Sequence, residues 1–287
     1  LDEERSHLFH QKIVKRMLED RNPLLVEMED KYLARNYVEE KGGCDLPDLI
    51  WWSEDIPVRI PWEKLPERYV IKTNHWSGDG VFIVNNTDEP IKSVDSNMTI
   101  PELYKMLHNG VDQAGKKWSQ GAIERKLGRL LRKCYPRSME WATQNISPRG
   151  VMIEELLLDK DDAIPEDIKL HCFHGKVGFI QADFNRFSDH QQNIHSADGM
   201  IIEQSNPHIP GNESVQDLSM HFGNENLHHL IEIAENLAEG IDYTRVDLFL
   251  VRDNVIFGEF TAYHQAGHPQ SKEWEELGGQ LWDDSDQ

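Results

Sequence analysis

Residues 245–263 read RVDLFLVRDNVIFGEFTAY, two strongly apolar runs joined by the polar residues 252–254. This pattern predicts a β-hairpin in which the two runs pair as antiparallel strands. Asp247 and Glu259 stand inside the apolar runs, where a carboxylate is costly unless it is paired or binds a metal. Because the turn is short, the two carboxylates can be cross-strand neighbours, and paired oxygen ligands suit Mg2+ that bridges nucleotide phosphates.

Two further polar residues share the face of the hairpin that carries these carboxylates. Side chains two residues apart on a strand point to the same side, which places Arg245 beside Asp247 and Thr261 beside Glu259. The hairpin alone leaves two interpretations open. Either the carboxylates hold a metal ion, or Asp247 only pairs with Arg245 while Glu259 faces water.

A second hairpin is predicted nearer the amino terminus, where the strand YVIK ends at Lys72 and the glycine turn SGDG leads into the strand VFIVNN. The flexible turn can close its backbone amides over phosphates while the lysine supplies a positive charge. Lys169, inside the run IKLHCF, is a second cation able to point inward, although lone lysines in strands usually reach solvent. The residues expected to contact phosphates from the turn are Ser77, Gly78 and Gly80.

The rest of the chain alternates helical and strand patterns. Apolar residues recur at helical spacing in several segments, and apolar runs with β-branched residues mark further strands. The expected elements are two helices in residues 6–39 separated by Pro23, a helical region at 101–142, an apolar strand at 151–158, two strands IKLHCF and VGFIQADF around the turn HisGly, a loop from there to about residue 223 and a helix at 227–237.

The order of these motifs resembles the ATP-grasp superfamily and, more narrowly, the TupA-like ATP-grasp family associated with teichuronopeptide and other surface-polysaccharide biosynthesis. The resemblance is carried by the combination of IEELL at 153–157, DIKLHCFHGK at 167–176, RVDLFLV and GEFT. It runs from DKYLARNYVEEKGG at 30–43 to LGGQLWDD at 277–284, and so covers most of the chain.

The resemblance implies an α+β protein with the ATP-grasp fold, in which two lobes with antiparallel sheets grip ATP after a helical N-terminal segment. The expected units are an N-terminal helical and irregular segment at 1–66, a first lobe at 67–155 with the glycine loop and a basic helical insertion, and a second lobe at 156–287 with the metal-binding hairpin.

The resemblance also implies roles for individual residues. Lys72 and Lys169 would contact the ATP phosphates, and Lys72, Lys169 and Arg245 would be the catalytic cations. Asp247 and Glu259 would hold Mg2+, and Thr261 stands where many ATP-grasp enzymes have Asn as a metal or phosphate ligand. The residues expected to bind adenine, with a glutamate at its amino edge, are Glu154, Glu155, Leu156 and Leu157.

The activity that family resemblance implies is that of an ATP- and Mg2+-dependent carboxylate–amine ligase, which forms an amide through an acyl phosphate. Its expected substrates are a carboxylate-bearing sugar or glycan and an amine. Two alternatives remain open at this point: a sugar or small-molecule kinase, for which His75 could be the general base, and a non-catalytic nucleotide-binding module of a polysaccharide-assembly protein.

The net charge of −21 disfavours binding to nucleic acid, because most of the surface would repel a phosphate backbone. The run from Lys116 to Arg137 is basic in spite of this charge, and its arginines at 125, 129 and 132 share one helical face. The ordinary interpretation is a solvated face that pairs with the protein's own carboxylates. The alternative is that Arg125, Arg129 and Arg132 guide an anionic acceptor.

Cellular context is suggested by cysteine usage and hydropathy. Three widely spaced cysteines without a CxxC pair fit a reducing cytoplasm, and no apolar run is long enough to span a bilayer. We therefore expect a soluble cytoplasmic protein. Because the sequence begins at Leu and ends in WDDSDQ, we also expect that further domains, or polysaccharide-assembly enzymes, could be its partners.

Overall fold

The structure is a computed structural model that describes residues 7–94, 104–134, 139–203 and 209–284. Two β-sheets and a set of helices make up the described part of the chain. The helices are α1 (Phe9–Glu19), α2 (Pro23–Glu29), α3 (Leu33–Lys41), α4 (Gln120–Leu131), α5 (Trp141–Asn145), α6 (Leu218–Phe222), α7 (Asn224–Leu237) and α8 (Lys272–Asp283). The strands are β1 (Leu49–Ser53), β2 (Arg68–Thr73), β3 (Val81–Asn85), β4 (Tyr104–His108), β5 (Val151–Glu155), β6 (Asp167–Phe173), β7 (Lys176–Phe184), β8 (Gln191–Ser196), β9 (Ile201–Glu203), β10 (Tyr243–Val251) and β11 (Asn254–Thr261).

The first sheet has the strand order β1-β5-β2-β3-β4. Its strands pair antiparallel except for β3 and β4, which are parallel. Strand β2 alternates between two environments: Tyr69 and Ile71 pack with Ile123 and Leu127 of α4, whereas Lys72 points to the opposite face. Helix α4 therefore covers one face of this sheet and leaves the other free to form a site.

The second sheet has the order β11-β10-β6-β7-β8-β9 and is antiparallel throughout its described strands. In β10 the residues Val246 and Leu248 face the large core formed with α7, and Asp247 faces the other way. Asp247 lies opposite Glu259 in β11 and opposite Lys169 in β6. Period-two alternation thus collects charged side chains on one face of the sheet.

The N-terminal helices pack on the second sheet. Helix α1 contacts α8, α2 contacts β11, and α3 contacts both α7 and β11. The strand β1 lies within the segment expected to be irregular, and it joins the first sheet beside β5. The N-terminal segment consequently belongs to the body that surrounds the cleft.

The predicted hairpins and the α+β class are confirmed, including the pairing of β2 with β3 and of β10 with β11. The helical prediction for 101–142 is wrong in part, because β4 occupies Tyr104–His108 before α4 begins. The region expected to be a loop up to about residue 223 contains β8, β9 and α6. Residues 6–39 hold three helices, with Pro23 as the first residue of α2.

No helix in the described ranges is long and apolar enough to cross a membrane. Cys44, Cys134 and Cys172 are all free thiols.

We expect the packing around Gly150 to be sensitive to a single methyl group. A Cβ atom at Gly150 would lie 2.3 Å from Cη2 of Trp52, whose indole stacks on Tyr32 at 4.0 Å between ring centroids. Gly150→Ala should therefore lower the free energy of unfolding by about 1–3 kcal/mol, measured by urea denaturation. Gly128→Ala is the control, because its new methyl would meet Val58 at 3.8 Å and a helix-interior Gly→Ala change stabilises by up to about 1 kcal/mol. Equal effects of the two changes would contradict this packing.

Candidate active site

A cleft lies between the free face of the first sheet and the charged face of the second. Strands β2 and β5 supply one wall, the β10–β11 hairpin supplies the other, and the loop after β5 closes one end. Most of the residues predicted from the sequence meet here. The cleft is lined by Lys31, Val70, Lys72, Ser77, Gly78, Glu154, Glu155, Leu156, Leu157, Asp167, Arg186, Asp247, Phe249, Gly258 and Glu259, among others.

The carboxylates of the β10–β11 hairpin are held by cations. Arg245 donates two hydrogen bonds of 2.6 Å to Asp247, from Nε to Oδ1 and from Nη2 to Oδ2. Glu259 lies within ion-pair distance of Lys31 at 3.5 Å and of Arg245 at 3.6 Å. The side chain of Glu259 is 38% exposed, whereas that of Asp247 is 4% exposed. The Arg245–Asp247 pair and the shared carboxylate face therefore coexist, and Glu259 presents its oxygens to the cleft.

These surroundings shift the two carboxyl groups in opposite directions. Burial raises the pKa of Asp247 to about 6, against the opposing effect of Arg245 and Lys169. Burial also disfavours the charged form of Glu259, but Lys31, Arg245 and Lys72 outweigh it and lower the pKa to about 2. Both carboxylates are thus mainly ionised at neutral pH and can act as oxygen ligands.

Lys72 lies on the opposite wall of the cleft, where it belongs to a chain of buried ion pairs. Its Nζ lies 2.5 Å from Oε2 of Glu154, and Oε1 of Glu154 accepts a hydrogen bond of 2.7 Å from Arg35. Glu154 therefore orients Lys72, while Leu156 and Leu157 leave the end of β5 to line the cleft beside it. The adjacent Glu155 accepts a hydrogen bond from the backbone N–H of Asp48 at 2.9 Å.

Lys169 lies beneath the cleft among acidic side chains. It pairs with Asp167, with Asp183 at 3.0 Å and with Asp247 at 3.9 Å. The cluster also contains Arg186, which pairs with Asp167 and lines the cleft. Lys169 thus acts on the cleft through its neighbours, whereas Arg186 faces it directly.

Three residues in or directly behind the cleft lining are only weakly indicated by the sequence. Lys31 and Arg35 belong to the motif DKYLAR, which the sequence gives no chemical role, and Arg186 stands in a segment expected to be a loop. The neighbouring Asp30 is buried and accepts hydrogen bonds from Asn74 Nδ2 and from two backbone N–H groups. The sequence signal for this segment is the motif DKYLARNYVEEKGG at 30–43, at which the family resemblance begins.

The glycine turn is positioned by α4. Ser77 and Gly78 line the cleft, and Asp79 forms an ion pair of 2.6 Å with Lys126 of that helix. Gly80 faces α4 and not the cleft, because a Cβ atom added there would meet Leu130 of α4 at 3.2 Å. The first half of the turn is therefore available to a ligand, and its second half packs on the helix.

Two expected residues lie away from the cleft lining. Nε2 of His75 is 3.2 Å from the carbonyl oxygens of both Leu130 and Lys133, and the side chain is buried at the end of α4. Burial lowers the pKa of His75 to about 4. Thr261 lies opposite Arg245 in the hairpin register, outside the cleft. His75 therefore has no access to a hydroxyl substrate in the cleft.

The arginines of α4 are also remote from the cleft. Arg125, Arg129 and Arg132 line a separate groove on the outer face of the helix. The expectation that this face pairs with the protein's own carboxylates is wrong for these three residues within the described part of the chain, where ion pairs are formed instead by Lys126 and Arg59. Arg137 lies outside the described residues.

Two sheets that enclose a cleft, with a lysine and a glycine turn on one wall and paired carboxylates on the other, define a protein of the ATP-grasp class. The chain belongs to the TupA-like ATP-grasp family, whose sequence model matches residues 11–282. Among curated proteins, none matches the sequence.

Solved structures of similar shape are ATP-grasp ligases. D-alanine–D-alanine ligase from Bacillus anthracis complexed with ATP is 15% identical, covering 82% of this chain and 54% of that one with a TM-score of 0.40. An ADP complex of N5-carboxyaminoimidazole ribonucleotide synthetase is 12% identical over 89% and 51% of the two chains, with a TM-score of 0.40. The chain spans about half the length of these two proteins. The family assignment therefore rests on the sequence match.

The burial of His75 predicts a pH dependence of stability. Between pH 6.5 and about 4 the unfolded chain binds a proton at this histidine and the folded chain does not, so stability falls as the pH falls. His75→Gln should remove up to about 1.4 kcal/mol per pH unit from that slope, measured by urea denaturation at several pH values. The control is His228→Gln, since the side chain of His228 is 75% exposed. An unchanged slope in His75→Gln would show that this histidine takes up its proton over the same pH range in the folded and in the unfolded chain.

Proposed function

We propose that the protein is an ATP- and Mg2+-dependent carboxylate–amine ligase. The observation that carries the proposal is the placement of Asp247 and Glu259 opposite Lys72 across one cleft, in a chain of the TupA-like ATP-grasp family. Two carboxylates are the protein ligands that Mg2+ commonly uses when nucleotide phosphates and water complete its shell.

The cleft offers suitable surroundings to each part of ATP. Its apolar lining includes Val70, Leu156, Leu157 and Phe249, which suits a purine ring. Lys72, Lys31 and Arg186 provide cations for the phosphates, and Ser77 with Gly78 can add backbone donors.

In the proposed reaction a carboxylate oxygen of the substrate attacks the γ-phosphorus of ATP, and the bond to ADP breaks. The amine then attacks the acyl carbon, phosphate leaves and an amide forms. Mg2+ would neutralise phosphate charge while held by Asp247 and Glu259. The chain's own part is electrostatic and positional: Lys72 is fixed by Glu154, and Glu259 is kept ionised by its cations.

Several residues have supporting roles in this proposal. Arg245 fixes Asp247, and Lys169 balances the buried acidic cluster from below. We retain the functional lobes at 67–155 and 156–287, each built around one of the two sheets, while the segment 1–66 adds β1 to the first sheet, Lys31 to the cleft and Arg35 behind Glu154. Thr261 and Gly80 keep only supporting positions beside the site.

The proposal also includes the class of the carboxylate substrate. We infer a sugar acid of a surface polysaccharide or its precursor as the carboxylate substrate, with a cytoplasmic location, because the family is associated with such polymers.

A carboxylate is already ionised at neutral pH, so it attacks without a general base. A hydroxyl acceptor needs such a base, and His75 is buried against α4. The burial of His75 therefore favours the ligase over the kinase. The presence of Lys72, Asp247 and Glu259 together favours either enzyme over a non-catalytic nucleotide-binding module.

Hydroxylamine trapping tests the reaction type. With ATP, Mg2+ and a panel of sugar acids, an accepted substrate should give ADP, and hydroxylamine should convert its acyl phosphate to a hydroxamate. Glu259→Gln should give neither product, and Asp253→Asn on the exposed hairpin turn is the matched control that should behave as wild type. A stable phosphorylated alcohol without hydroxamate would replace the ligase by a kinase.

A further inference from the structure

A second concave surface lies on α4, on the side of the first sheet away from the cleft. Ile123 and Leu127 of α4 pack on the same sheet face as Ile71, whereas Lys72 points into the cleft from the other face. The groove runs between the outer surface of α4 and the loop at residues 57–59. Its volume of about 490 Å3 lies in the range of small-ligand sites. The whole sheet thus separates the groove from the proposed reaction centre.

The groove concentrates positive charge on an acidic protein. The chain has 30 Lys and Arg against 51 Asp and Glu, yet six cations converge here: Arg59, Lys116, Lys117, Arg125, Arg129 and Arg132. Among the described residues, Glu124 is the one lining carboxylate, and it already accepts hydrogen bonds from the backbone N–H of Ile60 and from Trp62. The groove therefore has a strong net positive charge.

The arginines are arranged for an extended ligand. Arg125 and Arg129 are exposed on α4, and Arg132, the C-cap residue of that helix, follows at the next turn. Like charges at this spacing destabilise a helix, and within the described residues no carboxylate pairs with these three. Guanidinium groups also bind carboxylates and phosphates through paired hydrogen bonds.

We propose that this groove binds a short, flexible chain of anions, whose carboxylate or phosphate groups meet successive arginines of α4. The ligand's anionic groups recur at about one helical turn, roughly 5–6 Å, and its apolar parts contact the floor formed by Pro57, Val58 and Trp118. Gly121 also lines the groove, and Arg132 Nη1 donates a hydrogen bond of 3.2 Å to the carbonyl oxygen of Gly128, which holds this guanidinium at the groove. The site is independent of the proposed ligase activity.

Other classes of partner fit the groove less well. A DNA duplex or an anionic membrane would extend past it onto a surface with a large excess of acidic residues. An extended peptide gains affinity by adding a strand to a sheet edge, but the lining comes from a helix and loops. A short flexible polyanion needs neither a long basic surface nor a strand edge.

The test is calorimetry on the full chain with trigalacturonate as the carboxylate probe and tripolyphosphate as the phosphate probe. At least one should bind, and the Arg125→Glu/Arg129→Glu double variant should weaken that binding by about tenfold or more, because four units of charge are altered. The matched control is Lys15→Glu/Lys272→Glu, which has the same net charge at exposed positions elsewhere and should stay within about twofold of wild type.

Lys72→Ala separates the groove from the cleft, since a probe held in the groove should bind this variant as tightly as wild type. The probe that binds identifies whether carboxylate or phosphate is the preferred anion. Failure of both probes to bind, equal weakening in the two double variants, or loss of binding in Lys72→Ala would overturn the proposal. So would a short DNA duplex that binds the groove more tightly than either probe.

Discussion

The buried negative charge of the β10–β11 hairpin must be balanced by nearby cations, and this requirement determines how the cleft is built. Asp247 is almost fully buried, and a lone carboxylate there would cost several kcal/mol. Arg245 and Lys169 supply the balancing charges from β10 and β6, which fixes these strands relative to each other. The same hairpin register places Glu259 beside Asp247 but nearer the opening. A single pair of strands therefore presents one buried carboxylate that Arg245 holds in place and one carboxylate that is more exposed to the cleft.

The N-terminal helical segment supplies further positive charges that pair with the carboxylates of both sheets. Lys31 approaches Glu259, and Arg35 holds Glu154, which in turn holds Lys72. Both walls of the cleft are consequently tied to one helical segment that precedes them in sequence. In the proposed reaction, phosphate oxygens and Mg2+ would compete with these internal pairs, so that binding exchanges one set of ionic contacts for another.

The sequence predicts the part of this site that arises from local pattern. Apolar strands interrupted by Asp247 and Glu259, with a short turn between them, determine both the hairpin and its register. Lys31, Arg35 and Arg186 depend on contacts between residues far apart in sequence, which periodicity does not encode. Strand β4 was obscured because it is short and pairs in parallel with β3, a pairing that its own sequence does not indicate. His75 looked catalytic because of its neighbouring glycine turn, and only tertiary packing shows that α4 buries it.

Calorimetric titration with ATP, in the presence and absence of Mg2+, shows whether the hairpin carboxylates hold Mg2+ for the nucleotide. We expect wild type to bind ATP with a strong dependence on Mg2+. Glu259→Gln should lose most of that dependence, because a half-exposed oxygen ligand loses its charge with little change in volume. Asp253→Asn, which makes the same charge change on the exposed turn of this hairpin, should retain it. Absence of Mg2+-dependent ATP binding in wild type, or its full retention in Glu259→Gln, would contradict the account.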